Sequence, residues 1–98
     1  MNYQNQNIRL TLAIPTFNRA DFLRKNLQII FSQLTSTDKV EIIIIDNAST
    51  DNTGNVCQKY FNFNNFLYVR LDQNLGMSAS QYECLVRANG DYVCILSD

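Results

Sequence analysis

Four consecutive isoleucines, Ile42 to Ile45, sit inside an apolar run that begins at Val40. Successive side chains of a strand point to opposite faces, so an unbroken run of this kind needs cover on both. A parallel sheet between two layers of helix supplies that cover. A second β-rich run, Ile8 to Ile14, has the same character. Each run ends in a polar cluster that a core would not need. Pro15-Thr16-Phe17-Asn18-Arg19 follows the first, and Asp46-Asn47-Ala48-Ser49-Thr50-Asp51 follows the second. Open α/β sheets bind ligands at the carboxyl ends of their strands, which is where these clusters fall.

The rest of the chain alternates in the same way. Strands are expected at Arg9 to Ile14, Glu41 to Ile45, Phe66 to Leu71 and Tyr92 to Leu96. The first helix is expected from Ala20 to Leu34, with Phe22, Leu23, Leu27, Ile30, Phe31 and Leu34 as its buried stripe. The second runs from Asp51 to Tyr60, with Ser49 or Thr50 as its cap. The third runs from Ser78 to Ala88, where Ser78 and Gln81 have capping-box spacing and Gly90 is a natural left-handed cap. Alternation of strand and helix implies one open α/β domain, mainly parallel, with helices on both faces. The sequence stops on its fourth strand. The sheet is therefore expected to be cut short there, with an edge open to self-association.

The composition is globular: 98 residues, 46% hydrophobic, 17% charged, net charge -1. There is no basic excess, so the electrostatic footprint of a nucleic-acid binder is missing. Cys57, Cys84 and Cys94 are odd in number, and histidine is absent, which argues against a zinc site. Three reduced thiols packed as small hydrophobes suit a cytoplasmic setting. No run approaches the ~18 apolar residues of a membrane span, and no secretory signal is visible. The three glycines, Gly54, Gly76 and Gly90, are too widely spaced for a G-x-G-x-x-G fingerprint, and no Walker loop occurs. A phosphoacceptor reading of Asp46 lacks the acidic pair that it would need after the first strand.

Four segments together resemble the start of a family 2 glycosyltransferase. They are Ile14 to Arg19, Ile44 to Thr53, Asn74-Leu75-Gly76, and Ala88 to Val93 continuing to Leu96-Ser97-Asp98. The resemblance implies the nucleotide-binding half of a GT-A fold, a Rossmann-like open sheet truncated after the fourth strand. It also implies inverting transfer of a sugar from a nucleotide-diphosphate donor to a glycan or lipid-linked acceptor. Mg²⁺ or Mn²⁺ would bridge the diphosphate, with Asp98 standing where the acidic metal cluster begins. A cytoplasmic location, at the membrane face in the longer protein, goes with this.

By that resemblance Pro15, Thr16 and Phe17 lie along base and ribose, and Arg19 approaches the phosphates with Asn18 beside it. Each has a plainer reading: Pro15 ends the strand, Phe17 packs under the first helix, Asn18 and Arg19 start that helix. Asp46 either accepts a pyrimidine imide N–H or braces its loop. Asn47 stands where many relatives carry a second Asp. Its amide can match N3–H and O4 of uracil or thymine, which favours a UDP- or dTDP-type donor. Ser49, Thr50 and Asp51 read as caps. Gly76 permits close backbone approach, and Gln81 occupies a position where relatives often carry Arg. Arg70 or Arg87 could supply that charge, though Arg87 reads as solvated, and Asp91 reads as the start of a strand. No residue of the chain is assigned as the general base. A module that binds a nucleotide without catalysis, or an interaction domain without a ligand, are the alternatives.

Overall fold

A computed structural model describes residues 7–35 and 39–96. The elements are β1 (Leu10–Thr16), α1 (Ala20–Gln33), β2 (Val40–Asp46), α2 (Thr53–Gln58), β3 (Phe66–Arg70), α3 (Met77–Arg87) and β4 (Tyr92–Ile95). The four strands form one parallel sheet in the order β3-β2-β1-β4.

The isoleucine run does what its pattern demands. Ile42 and Ile44 join Ile14, Leu23, Leu27, Val56, Cys57 and Phe66 on the face covered by α1 and α2. Ile43 and Ile45 join Ala13 and Cys84 on the face covered by α3. All four isoleucines are at most 1% exposed. Full burial of such a side chain is worth about 1.5–3 kcal/mol, so β2 anchors both cores.

Pro15 does not end β1. The strand continues through Thr16, and Pro15 pairs in register with Ile45. Ala13 gives its carbonyl to Leu96 of the β4 side, and Thr16 gives its carbonyl to Asn47 of the β2 side. By alternation the donor-less nitrogen of Pro15 faces away from β2, so no β1–β2 ladder bond is lost there.

Phe22 leaves the expected stripe of α1. It is 55% exposed, with the Arg19 guanidinium 4.3 Å from its ring centroid. Leu23 and Leu27 carry the buried face. Cys57 and Cys84 are buried thiols as expected, whereas Cys94 is exposed on the edge strand β4, whose residues are all exposed. Burial, followed by the Asp46 charge, pushes the Cys57 thiol up to about 12.

The α3–β4 junction departs from the expected caps. Ser78 and Gln81 form no capping box, because α3 starts one residue earlier and Gly76 is its N-cap. Gly90 is not in the left-handed region; among the described glycines only Gly76 is. Gly90 is needed for space instead. A Cβ there would lie 2.8 Å from the Thr11 backbone nitrogen and 2.9 Å from the Leu10 carbonyl carbon. These are backbone atoms of a central strand and cannot swing aside. Gly90→Ala is expected to lower Tm by at least ~5 °C, read by thermal melts, since overpacking costs about 1–3 kcal/mol.

Candidate functional site

Three loops meet at the carboxyl edge of the sheet: 17–19 after β1, 47–52 after β2 and 71–76 after β3. Three of the four described residues with positive φ lie in them: Asn18 (54°), Ala48 (64°) and Gly76 (90°). Unusual backbone conformations concentrate where function over-determines the chain.

Side chains lace the loops together. Asn18 bridges the first two: its N–H donates to Ser49 Oγ at 2.9 Å. Its Oδ1 accepts the N–H groups of Thr50 at 2.7 Å and Asp51 at 3.2 Å. Asp51 answers in reverse, with Oδ2 accepting the Ala20 N–H that opens α1. Asp51 Oδ1 accepts the N–H and hydroxyl of Thr53. Burial acts to raise the Asp51 pKa, but the bonds from Thr53 and Ala20 outweigh it and leave the carboxyl below its ordinary value. A lowered folded pKa stabilises above the unfolded value, and that contribution is lost as pH falls through the folded one. Neither Ser49 nor Thr50 caps α2. That helix begins later, with Asn52 as its N-cap.

Asp46 closes β2 and is 1% exposed. Its Oδ1 accepts the Ser49 N–H at 2.9 Å, and Oδ2 accepts the Tyr68 hydroxyl at 2.5 Å. Burial first, then the bond and charge of Asp46, raise the Tyr68 pKa. Asp46 thus braces the β2–α2 loop with both oxygens. Arg70 adds a bond from Nη2 to the Ser49 carbonyl at 3.0 Å.

Asn47 joins the second loop to the third. Its Nδ2 donates to Asn74 Oδ1 at 2.8 Å, and its Oδ1 accepts the Leu75 N–H at 2.9 Å.

These loops enclose an open cavity of about 400 Å³, lined by Pro15, Thr16, Phe17, Arg19, Asn47, Asn74, Gly76, Met77 and Ser80. Six of the residues singled out from the sequence therefore share one cavity. Phe17 is 41% exposed at this cavity and does not pack beneath α1. Asn18, Asp46 and Gln81 do not line it; the first two hold its walls, and Gln81 lies exposed on α3. Arg87 pairs with Glu83 on the outside of α3, and Asp91 pairs with Arg9. Met77 and Ser80 were not legible as lining residues, because only the start of α3 after Gly76 brings them to the cavity wall. Tyr68 carries no motif; its role follows from strand register beside Ile44.

Asp98, the expected metal ligand, lies outside the described residues. Among the described residues no three Cys, Asp or Glu side chains gather as a metal centre. The described residues alone therefore supply no donor set for a divalent cation.

A family model for Glycosyl transferase family 2 matches residues 11–98. The chain belongs to that family. It is 38% identical over 88 residues to abequosyltransferase RfbV of Salmonella typhimurium, covering 88% of this chain and 26% of that protein. It is 35% identical over 85 residues to the cholesterol galactosyltransferase of Borreliella burgdorferi, covering 87% of this chain and 23% of that one. The chain thus spans about a quarter of the length of these relatives. Among solved structures it superposes on the mannosyltransferase PcManGT of Pyrobaculum calidifontis, which is in complex with GDP-Man and Mn²⁺. The TM-score is 0.79 at 28% identity, covering 91% of this chain and 27% of that chain. TarS of S. aureus, at 24% identity and a TM-score of 0.83, shares the fold, covering 92% of this chain and 26% of its own. The open parallel sheet is that of the GT-A glycosyltransferases.

Proposed function

We propose that this chain is the donor-nucleotide-binding part of an inverting glycosyltransferase that uses a nucleoside-diphosphate sugar. The laced cavity at the carboxyl edge carries the reading. It offers what a nucleotide needs: the exposed face of Phe17 and the apolar length of Met77 for a base, Arg19 for phosphate charge. The amino end of the 11-residue α3 opens onto the same cavity.

In the reaction an acceptor hydroxyl forms a bond to the anomeric carbon as the bond to the diphosphate breaks. The work of the described residues is to bind and orient the leaving nucleotide. The base that takes the hydroxyl proton is not assigned among them. A Mg²⁺ or Mn²⁺ ion, a glycan or lipid-linked acceptor, and a cytoplasmic setting at a membrane face belong to the same proposal. The unpaired thiols support the setting, and the Mn²⁺ in PcManGT supports the ion. Association through the exposed β4 edge belongs to the proposal too, and sedimentation would read it.

A pyrimidine donor, UDP or dTDP type, is the expectation from the Asn47 amide, whose polar atoms here bond Asn74 and Leu75. The donor in PcManGT carries guanine, so GDP enters the test on equal terms. Calorimetric titration of the 98-residue chain with UDP, dTDP and GDP, with and without Mn²⁺, is expected to show one preferred base. Arg19→Ala should weaken that nucleotide by about 10-fold or more, the scale of one charged hydrogen bond. Equal, Arg19-independent signals from all three would contradict the reading.

A further inference from the structure

We infer that Asn47 is a positioning residue, a latch that holds the β3–α3 loop against the end of β2, and that this chain requires an amide rather than a carboxyl group there. The inference rests on the proposed nucleotide cavity for its effect on binding, but the latch itself is independent of any ligand.

Asn47 is 5% exposed and sits between two walls of the cavity. Its backbone N–H donates to the Thr16 carbonyl at 2.9 Å, which ties it to β1. Its side chain does the rest. Nδ2 donates to Asn74 Oδ1 at 2.8 Å and, more weakly, to the Gly76 carbonyl at 3.4 Å. Oδ1 accepts the Leu75 N–H at 2.9 Å. One planar amide therefore needs a donor on one side and an acceptor on the other. Both of its polar atoms are engaged with the loop, so reading a base is not the main work of this side chain.

The partner has opposite needs. Asn74 Oδ1 accepts twice, from Asn47 Nδ2 and from the Gly76 N–H at 2.9 Å. If its amide were turned around, an NH₂ group would face the Gly76 N–H, donor against donor. The Gly76 carbonyl is held too, since it accepts from the Ser80 backbone N–H and hydroxyl at the start of α3. A carboxyl group at position 47 would thus meet two fixed acceptors. A carboxyl group at position 74 would meet two donors.

The same change, Asn to Asp, should accordingly have opposite outcomes at two residues in contact. Asn47→Asp keeps an oxygen for the Leu75 N–H but turns its other oxygen against the Asn74 and Gly76 oxygens, so the loop is expected to open more often. Hydrogen exchange at the Leu75 N–H should speed up by about 10-fold and the preferred nucleoside diphosphate should weaken by about 10-fold, the scale of one lost hydrogen bond. Asn74→Asp keeps the acceptor for Asn47 Nδ2 and the Gly76 N–H and is expected to leave Leu75 exchange within about 3-fold of wild type, whatever its charge does to nucleotide affinity at the cavity wall. Exchange and nucleotide affinity are measured on both variants at pH 7, beside their melting curves. If Asn47→Asp does not fold, Asn74→Ala removes the same acceptor from the exposed side of the latch and should free the Gly76 N–H. Equal acceleration of Leu75 exchange by both Asp variants would overturn the latch in favour of simple charge repulsion. An unchanged Leu75 exchange rate in Asn47→Asp would overturn it outright. Were wild type to bind no nucleotide, the functional reading would fail while exchange at Leu75 still decided the latch.

Discussion

Glu41→Ala is expected to lower stability by about 3–5 kcal/mol, because it orphans three buried or half-buried donors at once. Glu41 is 1% exposed at the amino end of β2, the opposite edge from the cavity. Its Oε2 accepts the Thr11 hydroxyl and the Asn89 N–H, both at 2.6 Å, and its Oε1 accepts Asn89 Nδ2 at 3.2 Å. Thr11 in turn accepts the Gly90 N–H at 3.0 Å. The network fixes the α3–β4 turn against β1, and so sets where β4 begins. At about 4–8 °C per kcal/mol for a domain of this size, the melt should fall by more than ~10 °C. Glu41→Gln keeps one oxygen for the two short bonds and should cost less than half as much. Losses below ~1 kcal/mol for Glu41→Ala would mean that water satisfies the same donors.

Asp46→Ala should be the most damaging change at the site. It strips the acceptor from the Tyr68 hydroxyl and from the Ser49 N–H, for about 2–4 kcal/mol. The β2–α2 loop then loses its brace, and Asn47, the next residue, loses its fixed position. Nucleotide affinity should fall with it, and by more than in Asp51→Ala. The latter removes part-buried bonds to the first turns of α1 and α2 worth about 0.5–2 kcal/mol. Tyr68 reports the change independently. Its pKa is raised in the folded protein by burial and by Asp46. The stability linked to it is present below the unfolded value near ~10 and is lost as pH rises toward the folded one. In Asp46→Ala the phenol should titrate at lower pH in an ultraviolet titration, and the alkaline loss should shrink. An unchanged Tyr68 titration would show that burial alone raises it.

The layered sheet was legible because burial on two faces leaves a mark on every residue of a strand. Ile42 to Ile45 could not be read as a half-exposed strand. The polar clusters after β1 and β2 were legible for a similar reason: Asn18, Asp46 and Asn47 have no business in a core. What the sequence did not disclose was which of them would face a cavity and which would hold its walls. Asn18 spends its side chain on the β2–α2 loop and Asp46 part of its own on Tyr68 of β3, and both depend on pairings more than twenty residues apart. Asn47 has the groups to match a uracil edge, and only the third loop's position shows that they are engaged elsewhere. Gly90 misled for a different reason. A glycine after a helix suggests left-handed backbone, whereas here it marks close approach to the Thr11 backbone.

On the proposed reading, the cavity between the three loops holds the donor nucleotide. Amide shift mapping during titration of the 98-residue chain with UDP, dTDP and GDP tests it most directly. The expected result is saturable shifts for one nucleotide at Thr16, Phe17, Asn47 and Gly76, with the Thr11–Glu41–Asn89 network unmoved at the opposite edge. Saturable shifts clustered elsewhere, or none for any nucleotide in a well-dispersed spectrum, would contradict it.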